Sequence, residues 1–196
     1  SAFFLFSLGR IPLPLTVMQI LAIDLGTDMV PALGLGVEPP EEGVMDKPPR
    51  RLSDRLLNRQ LLIKAFVWYG LIEAALAMGA FFLNYWVNQG NLNHLASSGP
   101  LYREATTMTL GAIIFTQIGM AMNSRKGRGS KPFANRIISL GIVLEIVLFI
   151  LLSYVPFFYT LFNTAPIGLD DWLYLLACPF VIMALEEIRY RLFDKK

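Results

Sequence analysis

Two carboxylates four residues apart, Asp24 and Asp28, stand in the otherwise apolar stretch Ile-Leu-Ala-Ile-Asp-Leu-Gly-Thr-Asp-Met-Val-Pro at residues 20–31. A carboxylate near the centre of a bilayer costs about 2.5–3.5 kcal/mol on insertion scales, so such a residue is read first as an ion, proton or substrate site. In an unbroken helix the pair would lie one turn apart on one face, and like charges at that spacing repel. A bound cation removes the repulsion. Gly26 loosens the helix and Pro31 removes a backbone donor, which leaves carbonyl oxygens needing a partner at membrane depth. Hard cations take oxygen ligands, and Asp24, Thr27 and Asp28 with freed backbone carbonyls supply them within about two turns. The other explanation, a carboxylate pair held by an arginine on a neighbouring helix, finds no intramembrane arginine in the sequence.

The rest of the chain has to hold this stretch in a bilayer, and its composition fits that task. Of 196 residues, 55% are hydrophobic and 16% charged, and the mean hydropathy of +0.51 is more apolar than soluble domains of this size tolerate. The chain is expected to be an integral, multi-pass membrane protein with the lipid bilayer as its surroundings. A formal net charge of +2 gives no basis for a nucleic-acid partner. The single cysteine, Cys178, excludes an internal disulfide and is read as a small packing residue beside Pro179.

Runs long enough to cross a bilayer occur at 15–37, 65–87, 106–122, 137–158 and 172–188. The expected fold is therefore all-α: a polytopic transmembrane helical bundle of five full spans. Residues 2–9 are apolar but about half the needed length, and residues 10–14, Arg-Ile-Pro-Leu-Pro, make a tight reversal, so the chain is expected to begin with a truncated half-span. Fifteen of the seventeen basic residues fall between the first and second spans, between the third and fourth, or in the C-terminal tail; only Arg10 and Arg103 lie on the other side. The positive-inside rule then places the C-terminus in the cytoplasm.

Other residues invite shorter readings. His94, the only histidine, sits in a polar loop and is read as solvated. Asp170 or Asp171 is expected to cap the last helix, with Trp172 anchoring it at the interface. The loop at 38–54 carries Pro39, Pro40, Pro48 and Pro49 around charged residues, and its stiffness suits docking to another domain. Gly70, Ala74, Ala77, Gly79 and Ala80 give the second span a close-packing surface, expected against the preceding half-span. Glu145, about nine residues into an apolar run, carries the same insertion penalty as the aspartates, and Gln117 is read from its surroundings alone as an interhelical amide.

Pro12-Leu13-Pro14-Leu15, Ile23-Asp24-Leu25-Gly26-Thr27-Asp28-Met29-Val30-Pro31-Ala32 and Asp46-Lys47-Pro48-Pro49-Arg50 together resemble the C-terminal membrane region of type II P-type cation ATPases. Asp24 is similar to the sodium/potassium and proton/potassium pump branch, where reticulum calcium pumps carry asparagine, while the proline-rich loop resembles the calcium pumps more. The resemblance extends through Ser153-Tyr154-Val155-Pro156 to Glu187-Ile188-Arg189. It implies that residues 1–9 are the outer end of the family's fifth helix and that helices six to ten span 15–37, 61–88, 106–122, 137–158 and 172–190. Cytoplasmic loops at 38–59 and 123–136 and outer loops at 89–104 and 159–171 join them.

The resemblance further implies cation ligands at Asp24, Thr27 and Asp28, a ligand at Gln117, and a role for Glu145 near a third sodium site. Glu73, where the family usually has a small residue, and Met120, at a position acidic in sodium pumps, depart from the pattern. The Met120 departure weakens a three-sodium assignment, and the transported ion is left open among Na+, K+, Ca2+ and H+ because oxygen ligands from other helices of the pump set cavity size and charge count. The phosphorylation motif Asp-Lys-Thr-Gly-Thr and a nucleotide pocket are missing from the sequence, so these residues alone are expected not to hydrolyse ATP. The expected partners are the remaining helices and cytoplasmic domains of a parent pump, where Mg2+ and ATP would bind. The rival readings are a passive cation carrier or channel subunit and a structural membrane anchor.

Overall fold

The computed structural model describes residues 12–27, 29, 33, 36, 59–89, 95–123 and 136–193. The half-span at 1–9, most of the proline-rich loop, His94 and the basic loop at 124–135 lie outside them. Every regular element among the described residues is helical.

Helix α1, Val17–Ala22, starts after Pro14 with a capping box: the Thr16 hydroxyl accepts from the Gln19 N–H at 3.3 Å and the Gln19 side-chain Oε1 accepts from the Thr16 N–H at 3.0 Å. The helix runs into a π-helical segment, Ile23–Thr27. Helix α2, Arg59–Leu62, runs into a second π-helical segment, Ile63–Tyr69, and then into α3, Gly70–Gln89. Helix α4, Pro100–Asn123, and helix α5, Arg136–Tyr154, follow. Val155 is extended, as a residue before proline must be, and Pro156 opens the short helix α6, Pro156–Phe162. Asn163 stops α6 in the left-handed conformation with φ 54°. Helix α7, Leu169–Phe193, ends the described chain.

Ile63–Asn88, Pro100–Asn123 and Arg136–Tyr154 are each long and apolar enough to cross a membrane. Val17–Gly26 is a shorter apolar helix, and most of the remainder of the 15–37 run is outside the described residues. Helix α7 has the length of a span but carries charge at both ends and Pro179 within it.

Helix α4 is the centre of the bundle. It packs against α3, α5 and α7, and most of its residues are buried. Its backbone comes close to its neighbours at two glycines. A Cβ on Gly111 would stand 2.7 Å from both Leu175 and Phe149, and a Cβ on Gly119 would stand 2.9 Å from the Cα and carbonyl oxygen of Pro179. Small residues at such crossings are how helices associate where lipid removes the hydrophobic drive. The threonines of α4 satisfy themselves: Thr107, Thr109 and Thr116 donate to the carbonyls of Arg103, Ala105 and Ala112. Phe115, Phe149 and Trp172 meet edge to face around Gly111, with ring centroids 5.6–6.1 Å apart.

The small-residue surface of α3 meets α4 and α7 among the described residues. Ala77 and Ala80 are buried, and Gly79 faces Tyr174, whose hydroxyl donates to the Leu76 carbonyl at 2.8 Å. Cys178 is buried in the same region, its thiol donating to the Tyr174 carbonyl. The end of the bundle at Lys64 and Arg189, here the basic end, is tied by Glu186, which accepts from Lys64 at 3.0 Å and from Arg189 in a bidentate pair at 2.9 and 3.0 Å.

The glycine crossings yield a stability prediction. Gly119→Ala forces a methyl group onto the Pro179 backbone, which cannot rotate away, and should cost about 1–3 kcal/mol, read as a lower Tm for unfolding in detergent. Gly36→Ala, whose Cβ meets nothing within 4 Å, should leave the Tm unchanged.

Candidate cation site

Asp24 is the second residue of the π-helical segment Ile23–Thr27 and is exposed. The segment is not an unwound stretch as the sequence suggested: it stays helical but with the wider i→i+5 pairing, a feature that concentrates at functional sites. At its entry the Ile23 N–H is shared between the Gln19 and Ile20 carbonyls, as is common at helix ends. The backbone of Thr27 closes the segment; its side chain, and Asp28, lie outside the described residues.

Gly26 explains how the segment is positioned. A Cβ there would stand 2.5 Å from Leu148 Cδ2, so the π turn lies directly on α5. Leu148 follows Glu145 by three residues, one turn along the same helix, and Glu145 itself is 2% exposed. Glu145 belongs to the inward face of α5 with Ile138, Gly141, Phe149 and Leu152. The π segment also touches α4, which carries Gln117. Gln117 is half-buried, and its Oε1 is buried with no hydrogen-bond partner among the described residues.

The structure therefore brings together the elements that carry Asp24, Gln117 and Glu145. Glu73 lies on α3, half-buried. Among the described residues no group of three or more His, Cys, Asp and Glu side chains is arranged to hold a metal ion.

One residue that the sequence reading passed over is Gln19. It is fully buried, and beyond the capping box its Nε2 donates to Thr106 Oγ1 and to the Asn163 carbonyl, both at 3.3 Å. It joins α1, α4 and the link after α6, five residues before Asp24. The Thr16-x-x-Gln19 spacing was legible as a capping box; the two cross-helix bonds were not.

Over residues 12–192 the chain matches the family model described as cation transporting ATPase, C-terminus. The chain belongs to that family. It is 28% identical over 184 residues to "Calcium-transporting ATPase 1" of Saccharomyces cerevisiae, covering 92% of this chain and 18% of that protein. It is 29% identical to "Sodium/potassium-transporting ATPase subunit alpha" of Hydra vulgaris, with 100% and 22% covered, and 30% identical to "Sodium/potassium-transporting ATPase subunit alpha-4" of Rattus norvegicus, with 96% and 21% covered. The chain thus spans about a fifth of the length of these relatives. With its apolar helices, this makes it an integral membrane region of the P-type cation ATPase family.

Contact between Gly26 and Leu148 can be tested by a double-mutant cycle. Gly26→Ala should weaken apparent cation affinity in the full-length protein by roughly tenfold, and Leu148→Ala, which vacates the space, should restore most of it. Additive effects would show that the two residues do not couple.

Proposed function

We propose that the chain is the ion-binding and translocation region of an ATP-driven cation pump and supplies half of an intramembrane oxygen-ligand site. The observation that carries this reading is the π-helical turn that bears Asp24, set onto α5 at Gly26 within a turn of buried Glu145. Asp24, Thr27 and Asp28 are the central ligands, Gln117 offers an amide oxygen from α4, and Glu145 adds a carboxyl from α5. Hard cations need roughly six oxygens or more, so the exposed side of Asp24 takes further ligands from other helices of the pump or from water. The cation is Na+, K+, Ca2+ or H+, and the relatives named for sodium, potassium and calcium transport support that range. ATP and Mg2+ bind in catalytic domains elsewhere in the full-length protein, where phosphorylation reorients the helices around the bound ion.

In this reading the chain makes five spans after a half-span, in a plasma or other cell membrane. The basic end faces the cytoplasm, and the end that carries Thr16, Gly99 and Ile167 faces outward. A passive carrier lacks support from the comparisons, since the three relatives described are named as transporting ATPases.

Two experiments test the proposal. In the full-length protein Asp28→Asn and Asp24→Ala should abolish cation-dependent phosphorylation, whereas Glu73→Gln should retain most of it; near-normal cation dependence in Asp28→Asn would sink the assignment. Cysteines placed by Ser98→Cys and Gly127→Cys should react with impermeant reagents from opposite sides of the membrane. Labelling of both from one side would refute the five-span arrangement.

A further inference from the structure

Five residues before Asp24, one buried amide ties three elements together. Gln19 is fully buried, and a buried amide is tolerated only when its polar atoms find partners. Here they all do. Oε1 accepts the Thr16 N–H at 3.0 Å, and Nε2 donates to Thr106 Oγ1 on α4 and to the Asn163 carbonyl, both at 3.3 Å. Thr106 spends its own proton on the Arg103 carbonyl at 3.0 Å, so its oxygen is left to accept from Gln19. The reverse orientation of the amide would set Oε1 against the Asn163 carbonyl, so a single orientation fits. Asn163 is constrained in turn: among the described residues it is the one non-glycine residue with positive φ, in the left-handed turn that ends α6. The backbone of Gln19 is engaged as well, because its carbonyl accepts from the N–H of Ile23, the first residue of the π turn.

We propose that Gln19 is the positioning residue of the cation site: its two cross-helix bonds fix the rotation of α1 about its own axis and so present Asp24 on the open side of the π turn, where further ligands of the pump arrive. This role rests on the reading of Asp24 as an ion ligand. At about 100° per residue, Ile23 falls within about 40° of Gln19 on the helix surface, and Asp24 falls about 140° round from it. Burial follows that wheel, since Gln19 and Ile23 are buried whereas Asp24 and Leu25 are exposed. Gly26, seated against Leu148, anchors the far end of the same stretch. The two anchors differ in kind. An apolar contact such as Gly26 on Leu148 can be exchanged for lipid at little cost, but a rolled α1 would leave the Gln19 amide and the Asn163 carbonyl without partners in apolar surroundings. The polar anchor therefore sets the direction of Asp24, and the apolar one sets how closely the π turn lies on α5.

Positioning, as opposed to merely holding the fold, predicts a split between affinity and capacity. In the full-length protein, phosphorylation from ATP is measured with Na+, K+, Ca2+ and H+ varied in turn. Gln19→Leu should raise the half-saturating cation concentration by roughly tenfold or more, as loss of an outer-shell contact does, while phosphorylation at saturating cation stays near its original level. Thr106→Val, which removes the accepting hydroxyl at nearly constant volume, should shift half-saturation the same way, and Thr106→Ser, which keeps the hydroxyl, should not. Thr16→Ala removes a helix cap without touching the Nε2 bonds, so it should lower the Tm and leave half-saturation unchanged. Unchanged half-saturation in both Gln19→Leu and Thr106→Val would overturn the positioning role, and Thr106→Val alone decides it if Gln19→Leu does not fold. A shift in Thr16→Ala equal to that in Gln19→Leu would overturn it as well, since helix stability would then account for both. Asp24→Ala separates the two claims. If that variant retains cation dependence, the ion-site reading fails and the positioning role with it; if it loses cation dependence while the Gln19 and Thr106 variants are unshifted, only the positioning role fails.

Discussion

The close approach of α4 to α7 and α5 at Gly111 and Gly119 is the constraint on which the arrangement of the other helices depends. Water expels apolar surface in a soluble core, but lipid is as apolar as leucine, so helices in a bilayer gain by packing closely and by meeting polar needs. A methyl group at either glycine would strike a neighbour. With no side chain there, Leu175, Phe149 and Pro179 rest on the α4 backbone, and Phe149 and Trp172 close around Phe115. This fixes the rotation of α5, and with it the inward direction of Glu145 and the position of Leu148 under the π turn.

Polar groups are distributed unevenly along the bundle. At the end near Gly99, cross-links are dense: Gln19 bonds Thr106 and Asn163, Thr164 donates to the Leu152 carbonyl, the Ala165 N–H donates to Thr107, and the Tyr102 hydroxyl donates to the Leu13 carbonyl. Tyr154 receives the Trp172 indole N–H and donates to the Ile167 carbonyl. At the opposite end Glu186 gathers Lys64 and Arg189. Between these ends α4 keeps its threonines bonded to its own carbonyls. Between the two ends stand an exposed Asp24, a half-buried Gln117 and a buried Glu145.

The two π-helical segments suit such a division. Each interrupts a helix next to a polar group: Asp24 stands in Ile23–Thr27, and Lys64 and Tyr69 stand in Ile63–Tyr69. A wider turn alters which carbonyls are bonded without breaking the helix, so the segment can be both membrane-compatible and chemically available.

Much of this was legible in the chain before any coordinates. Hydropathy and run length gave an all-helical membrane protein, because the cost of burying backbone in lipid leaves few other solutions. Two aspartates in an apolar run named the candidate site, because charge at that depth is too costly to be incidental. The Asp170-Asp171 pair marked a helix start, since capping acts through local backbone geometry, whereas the run read as 137–158 breaks at Val155 and restarts at Pro156. The pairing of elements was not legible. Tyr85 is buried with its hydroxyl on the Ala96 carbonyl, and the small residues of α3 meet α4 and α7. Nor did the sequence indicate that Gln19 would span three elements, that Gly26 would rest on Leu148, or that Asn84 and Asp171, 87 residues apart, would meet. Local signals act over a turn or two of helix, whereas these contacts depend on how each helix is rotated against its neighbours. Only close packing around the α4 glycines decides that rotation.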